Sequence, residues 1–207
     1  WTHFQPEKVW LDAADKTAYE DAAVPGNMFD QDSALHISKL DGRTYTDRLV
    51  LPAAVTAVGT SGFYGTGFTT VDFKNDLSGV TQIGYYSFSA MNKLEKVTIP
   101  GTMTFATREK TYTGDSEASQ VSYTFDKNSA LKSVVFEEGI TEIPGALFSN
   151  CFNLETVTLP STITEIGSRT FDQHIKLHTV DLTKCSKPVS LKNSFNCYNK
   201  DGVTIGI

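Results

Sequence analysis

The chain has 207 residues, 40% hydrophobic and 20% charged, and a formal net charge of -6. That length suits one large domain or two small ones, and the apolar content is that of a folded chain rather than a disordered one. An acidic chain with no basic run is unsuited to nucleic acid, and no apolar stretch reaches the roughly 18 residues of a membrane helix, so no membrane insertion by this chain is expected.

The chain starts Trp1-Thr2-His3-Phe4-Gln5-Pro6, without an initiator Met, a basic segment or an apolar segment, which reads as a mature or trimmed form. Residues 8–23 are rich in Ala, Asp, Glu and Lys, with Val9, Trp10, Ala13 and Tyr19 as apolar positions, and predict a short amphipathic helix. Phe29-Asp-Gln-Asp-Ser-Ala-Leu35 then echoes Phe125-Asp-Lys-Asn-Ser-Ala-Leu131, after which the spacing breaks. Residues 1–48 therefore read as an N-terminal cap with an atypical first repeat, because an open first coil would expose apolar surface. A separate small domain is the alternative.

Residues 49–207 carry one pattern over and over. The first copy has Val55, Val58-Gly59, Phe63, Phe68, Val71 and Phe73, and the second Val80, Ile83-Gly84, Phe88, Leu94, Val97 and Ile99-Pro100. A third enters through Met103, breaks off, and resumes at Phe125, Leu131, Val134 and Phe136. Phe88 and Phe125 are 37 apart, where the later copies repeat every 23, so about 14 residues are inserted, near 106–120. The next two copies keep the 23-residue period: Ile143 to Ile166, Phe148 to Phe171, Leu154 to Leu177, Val157 to Val180. The last is degenerate, with Val189, Phe195 and Val203-Thr-Ile205. Each Leu-x-x-Val-x-Leu stretch demands a short strand with one face buried. A second extended piece, such as Ile163-x-x-Ile166, returns along the opposite side, and the Phe of each copy fills the middle. No copy can bury its apolar side alone, whereas stacked copies cover one another. The expected architecture is a repeat solenoid of about six coils, a right-handed coil with a parallel β-sheet on one face, mostly β with irregular turns. Val71, Val97, Val134, Val157, Val180 and Val203 should form one row across that sheet.

Leu131-Lys-Ser-Val-Val-Phe-Glu-Glu-Gly-Ile-Thr-Glu-Ile-Pro-Gly-Ala-Leu-Phe148-Ser-Asn-Cys151 and Leu159-Pro-Ser-Thr-Ile-Thr-Glu-Ile-Gly167 resemble the BspA-like, or Treponema-type, leucine-rich repeats. The likeness runs from about Leu49 to Ile205, with Cys151 where that family often has Cys; the insertion, and Leu147 and Thr170 in place of an Ala before Phe, depart from it. The resemblance implies extracytoplasmic proteins of gut and oral bacteria that bind host proteins or other cells. It brings no catalytic residues.

Little in the chain suggests other chemistry. His174 and His178 are four apart but fall where the repeat predicts a turn, so they read as exposed variable positions rather than a metal pair. Asp30 and Asp32 resemble the start of a calcium loop, but the Gly and the distal Glu that such a loop needs are missing. Cys151, Cys185 and Cys197 show no C-x-x-C spacing and read as small buried hydrophobes, with a Cys185–Cys197 disulfide as the alternative. No G-x-S-x-G, P-loop or H-E-x-x-H occurs, so no enzyme activity and no cofactor are expected.

The candidate binding surface is the outward face of the sheet. Between the inward landmarks lie Lys96, Thr98, Ser133, Val135, Glu137, Thr156, Thr158, Thr179 and Asp181, with Tyr112 of the inserted loop beside them. The insertion reads as a solvated hairpin, with a binding loop as the alternative. No aromatic lies among the strand positions, which favours a protein partner, such as a host extracellular-matrix protein or another cell surface, over a glycan. A glycan-binding accessory role and a structural spacer are the competing readings.

Overall fold

The computed structural model describes residues 23–24, 37–40, 42–110, 119–195 and 204–206. Every regular element among them is a strand, in chain order β1 (Ala23–Val24), β2 (Ile37–Leu40), β3 (Arg43–Thr46), β4 (Arg48–Leu49), β5 (Ala57–Val58), β6 (Thr70–Asp72), β7 (Gln82–Ile83), β8 (Lys96–Ile99), β9 (Thr104–Phe105), β10 (Arg108–Lys110), β11 (Ser119–Val121), β12 (Ser133–Phe136), β13 (Glu142–Ile143), β14 (Thr156–Thr158), β15 (Glu165–Ile166), β16 (Thr179–Asp181) and β17 (Thr204–Gly206). No helix of the described residues is long and apolar enough to cross a membrane. The helix expected over 8–23 lies outside the described residues except for Ala23, which opens β1.

The strands coil into a solenoid. On the front, seven parallel strands follow the order β17-β16-β14-β12-β8-β6-β4. On the back, the short returning strands form β1-β5-β7-β9 and, separately, β13-β15. The inserted segment is the antiparallel hairpin β10–β11, which returns to the coil where Val121 bridges Gly145. A second antiparallel hairpin, β2–β3, sits beside β4. Ser38 of that hairpin donates its hydroxyl to Arg48 O (2.8 Å) and accepts from Val50 N (3.0 Å), so a side chain takes the place of a strand partner at the first edge.

The front register follows the Val landmarks: Leu49 pairs with Val71, Val71 with Val97, Val97 with Val134, Val134 with Val157 and Val157 with Val180. The row ends on Ile205, not on Val203, because Val180 pairs with Ile205. The turns lie outside the core and absorb added residues, so the last interval stretches to 205 − 180 = 25 positions.

Behind the front row runs a column of rings. Phe63, Phe88, Phe125, Phe148, Phe171 and Phe195 stack face on at centroid distances of 5.6, 5.7, 5.2, 6.3 and 5.4 Å. Phe73 and Phe136 meet the column edge on. The turns around Phe63, Phe88, Phe125, Phe148 and Phe171 each hold two residues in left-handed conformation, one row through Ser61, Tyr86, Tyr123, Ala146 and Arg169 and another through Gly65, Ala90, Lys127, Asn150 and Gln173. These paired reversals send the Phe between them inward, where its large apolar area contributes most of the coil-to-coil attraction.

One further row pins neighbouring coils together. Asn128 donates to Phe88 O (2.9 Å), Cys151 Sγ lies 3.2 Å from Phe125 O, and His174 Nε2 lies 3.1 Å from Phe148 O. Asn128, Cys151 and His174 occupy the same repeat position at 23-residue intervals, and each satisfies a carbonyl of the coil before it. A buried carbonyl without a partner is costly, which explains a polar side chain at this depth. His174 is thus fully buried against Phe171, not an exposed variable residue. His178 is exposed as expected.

Candidate interaction surface

The alternation of each front strand sets its surface. With Val97, Val134, Val157 and Val180 turned inward, their neighbours turn outward. Lys96, Thr156, Thr158, Thr179 and Asp181 are exposed, and Thr98, Ser133, Val135 and Glu137 are half-buried by their neighbours. The register draws them into rows: Thr70, Lys96, Ser133, Thr156 and Thr179 in one, Asp72, Thr98, Val135 and Thr158 in the next. Tyr112 lies outside the described residues.

The face has two characters. Its first half is a groove lined by Thr70, Asp72, Lys93, Lys96, Thr98 and Glu137. Lys74 reaches over the intervening coil to Glu137 at 3.9 Å, and Lys132 reaches Glu95 of the neighbouring coil at 3.0 Å. Partial burial alone would raise the Asp72 carboxyl, but hydrogen bonds from Asn75 and Lys74 outweigh it and hold the group below the usual range. The second half, around Thr156, Thr158 and Thr179, carries hydroxyls and little charge. At its margin two large apolar side chains stand in solvent, Phe152 at 40% and Ile175 at 50% exposure. They are 23 residues apart and so occupy the same position in adjacent coils. The sequence reading missed both, because it searched only between the strand landmarks; the shared offset of two residues before Leu154 and Leu177 is the signal that would have found them.

A second aromatic group lies at the other side of the coil. Tyr64, Tyr85, Tyr86 and Tyr123 contact one another at 4.6 to 6.4 Å. The hairpin closes over them: Arg108 sits 4.6 Å from the Tyr85 ring, Lys110 sits 5.1 Å from the Tyr123 ring, and Lys110 Nζ donates to the Tyr123 hydroxyl at 2.7 Å. Burial raises the Tyr86 hydroxyl far above its usual range. These ring faces hold the hairpin on the coil.

Buried ionisable groups lie on the turn side, away from the front face. Burial pushes the Asp126 carboxyl up to about 6 although Asn150 donates to it at 2.7 Å. Burial also lowers His174 to about 4. Cys151 and Cys185 are free thiols, one buried and one half-buried. Cys197, and with it the Cys185–Cys197 pairing, lies outside the described residues. Among the described residues no three His, Cys, Asp or Glu side chains converge as a metal site.

The comparisons agree with this architecture. The profile of the BspA type leucine rich repeat region matches in six copies, over residues 42–121 and 118–206. A leucine-rich repeat protein from Bacteroides ovatus is similar in structure, with a TM-score of 0.52 at 18% identity over 77% of this chain and 34% of that one. A leucine rich cell surface protein from Faecalibacterium prausnitzii aligns at a TM-score of 0.39 and 20% identity, covering 77% of this chain and 44% of that one. The pneumococcal vaccine antigen PcpA aligns at 0.33 and 15%, covering 89% of this chain and 61% of that one. The chain thus spans between 34% and 61% of the length of these structures. No curated protein matches the sequence. With six matched copies, a coil of parallel strands and a continuous Phe column, the chain belongs to the BspA-type leucine-rich-repeat family.

Proposed function

We propose that the chain is a non-catalytic protein-interaction module of a bacterial surface or secreted protein, and that it meets a host protein or another cell's surface on its front face. The carrying observation is the in-register array of outward side chains on the seven-strand sheet, bordered by the exposed pair Phe152 and Ile175. Residues on such a face change without disturbing the core, and a few exposed apolar anchors dominate the energy of most protein interfaces. Membership of the family supports the location outside the cytoplasm. In the same reading residues 1–48 close the first coil and residues 49–207 form the recognition domain. A glycan partner would need an open ring face. The tyrosines do not favour it, since Tyr123 is buried and Arg108 and Lys110 already lie over Tyr85 and Tyr123.

The test is a double change, Thr156→Arg with Thr179→Arg, measured against intact bacteria-facing partners such as immobilised extracellular-matrix proteins. Both residues are exposed, so thermal unfolding should stay within about 0.5 kcal/mol of the parent. Binding should fall at least ten-fold, and Phe152→Ala should weaken it too. A matrix protein that binds the parent and the double variant alike overturns the face assignment.

A further inference from the structure

The front sheet crosses the insertion without interruption, since β8 and β12 pair over four residues from Lys96–Ser133 to Ile99–Phe136. The back sheet does not. β9 is its last strand on one side of the break and β13 the first on the other, and among the described residues the two do not pair. The coils touch at Gly101, where an added Cβ would lie 1.8 Å from Glu138 O. They meet again beyond the break at β11, where Gly145 N donates to Gln120 O (2.8 Å) and Ser122 N donates to Gly145 O (2.9 Å). Between these points lies a cleft of about 380 Å³, lined on one side by Met103, Thr104 and Phe105 and on the other by Glu142, Ile143 and Pro144.

The backbone groups facing this cleft follow from the pairing of its walls. Thr104 N and Ala106 N donate to β7, at Thr81 O and Ile83 O. Successive residues of a strand point to opposite edges, so Phe105, between them, presents its N–H and C=O to the cleft. On the other wall Thr141 O and Ile143 O accept from the next coil, so Glu142 presents its N–H and C=O to the cleft. Pro144 stands where Gly84 and Gly167 donate their amides to the preceding coil, and it has no amide to donate. The sequence has removed one of the two donors that would have closed the sheet. A side chain gives a second sign of a missing occupant: Ser168 lines the cleft at 3% exposure, and its Oγ has no hydrogen-bond partner among the described residues.

We propose that this cleft takes an extended polypeptide strand, which pairs with Phe105 on one side and Glu142 on the other and completes the back sheet. This goes beyond the front-face reading and stands without it. The walls also indicate the strand's chemistry. Phe105 is half-buried and offers an apolar contact, while Glu142 is exposed and Glu165 is held by Lys192 at 2.7 Å. An occupant with an apolar residue over Phe105 and a Lys or Arg facing Glu142 matches both. Main-chain bonds would supply the affinity and these two positions the selectivity.

Random heptapeptides displayed on phage, selected on the whole chain and then synthesised, test the proposal. Enriched peptides should carry an apolar residue and a basic residue on alternating positions. Their Kd should rise at least ten-fold for Glu142→Lys and for Thr104→Trp, which fills the cleft from an exposed position, and should not change for Thr156→Arg with Thr179→Arg. Methylating alternate peptide amides should weaken binding in either phase, because a strand bonded on both edges uses both sets of amides. Failure to enrich any peptide, binding indifferent to the two cleft variants, or binding indifferent to methylation in either phase each overturns the proposal.

Discussion

The two sides of this coil answer the same insertion differently. The front keeps seven strands in register through a copy that is 37 residues long between its Phe landmarks, while the back divides into four strands and two. Both sides rest on the same Phe column, so the difference does not come from the core. It comes from what each side asks of the chain. A front strand of three or four residues buries alternate side chains and is bonded on both edges, so an extra residue would turn its apolar set outward. A back strand of two residues sits next to a turn, and added chain leaves the coil there as a hairpin.

The largest effect should come from the element both sides share. Phe148 stacks between Phe125 and Phe171 and meets Phe136 edge on, so Phe148→Ala should cost about 3–5 kcal/mol in urea unfolding. A loss below about 1 kcal/mol would mean that the sheets, not the rings, hold the coils together, and the comparison would lose its common footing.

A smaller effect should come from acid. His174 sits where the coil turns toward the front, and its folded value of about 4 lies below the unfolded 6.5. Between those values the unfolded chain binds the extra proton, so His174 removes stability as pH falls from about 6.5 to 4, by at most about 3 kcal/mol. Asp126 has the opposite sign. Its folded value of about 6 lies above 3.8, so the folded chain binds the extra proton and gains stability as pH falls through 6. His174→Asn copies the bond that Asn128 makes two coils away in the same row and removes only the first contribution. Chemical unfolding at pH 7 and pH 4.5 should show the variant losing less stability on acidification than the parent. An equal loss in both would show that His174 is not what joins these coils.

The smallest effect should mark the break itself. Pro144 closes no sheet bond, so Pro144→Ala should shift stability by no more than about 1 kcal/mol, chiefly by loosening the unfolded chain. A gain of several kcal/mol, with amide 144 newly protected from exchange, would mean that one residue alone keeps the back sheet open.

Much of this was legible in the residues. Val97, Val134, Val157 and Val180 marked the front row because burial on one face of a strand leaves a two-residue period that few other folds repeat in register. Ile205 was not legible in place of Val203, since the outer turns vary in length without cost to the core and a fixed period cannot follow them. His174 was misread by residue type, although its place 23 after Cys151 held the answer: position in the coil, not chemistry alone, decides burial. The outward row was readable from alternation, whereas Phe152 and Ile175 were not, because turn residues follow no alternation. The cleft could not be read at all. It depends on how far two coils separate behind an insertion, and no residue pattern encodes that distance.

The broken back sheet also has a mechanical consequence. A stack of coils carries axial tension in series, each junction bearing the whole load, so the weakest junction governs where it parts. From Phe63 onward each junction has its pair of stacked rings, but that between Phe125 and Phe148 lacks the β9–β13 pairing behind it. Pulled from its two ends, the solenoid should therefore yield first between the third and fourth coils, leaving two shorter rods of intact repeats on either side.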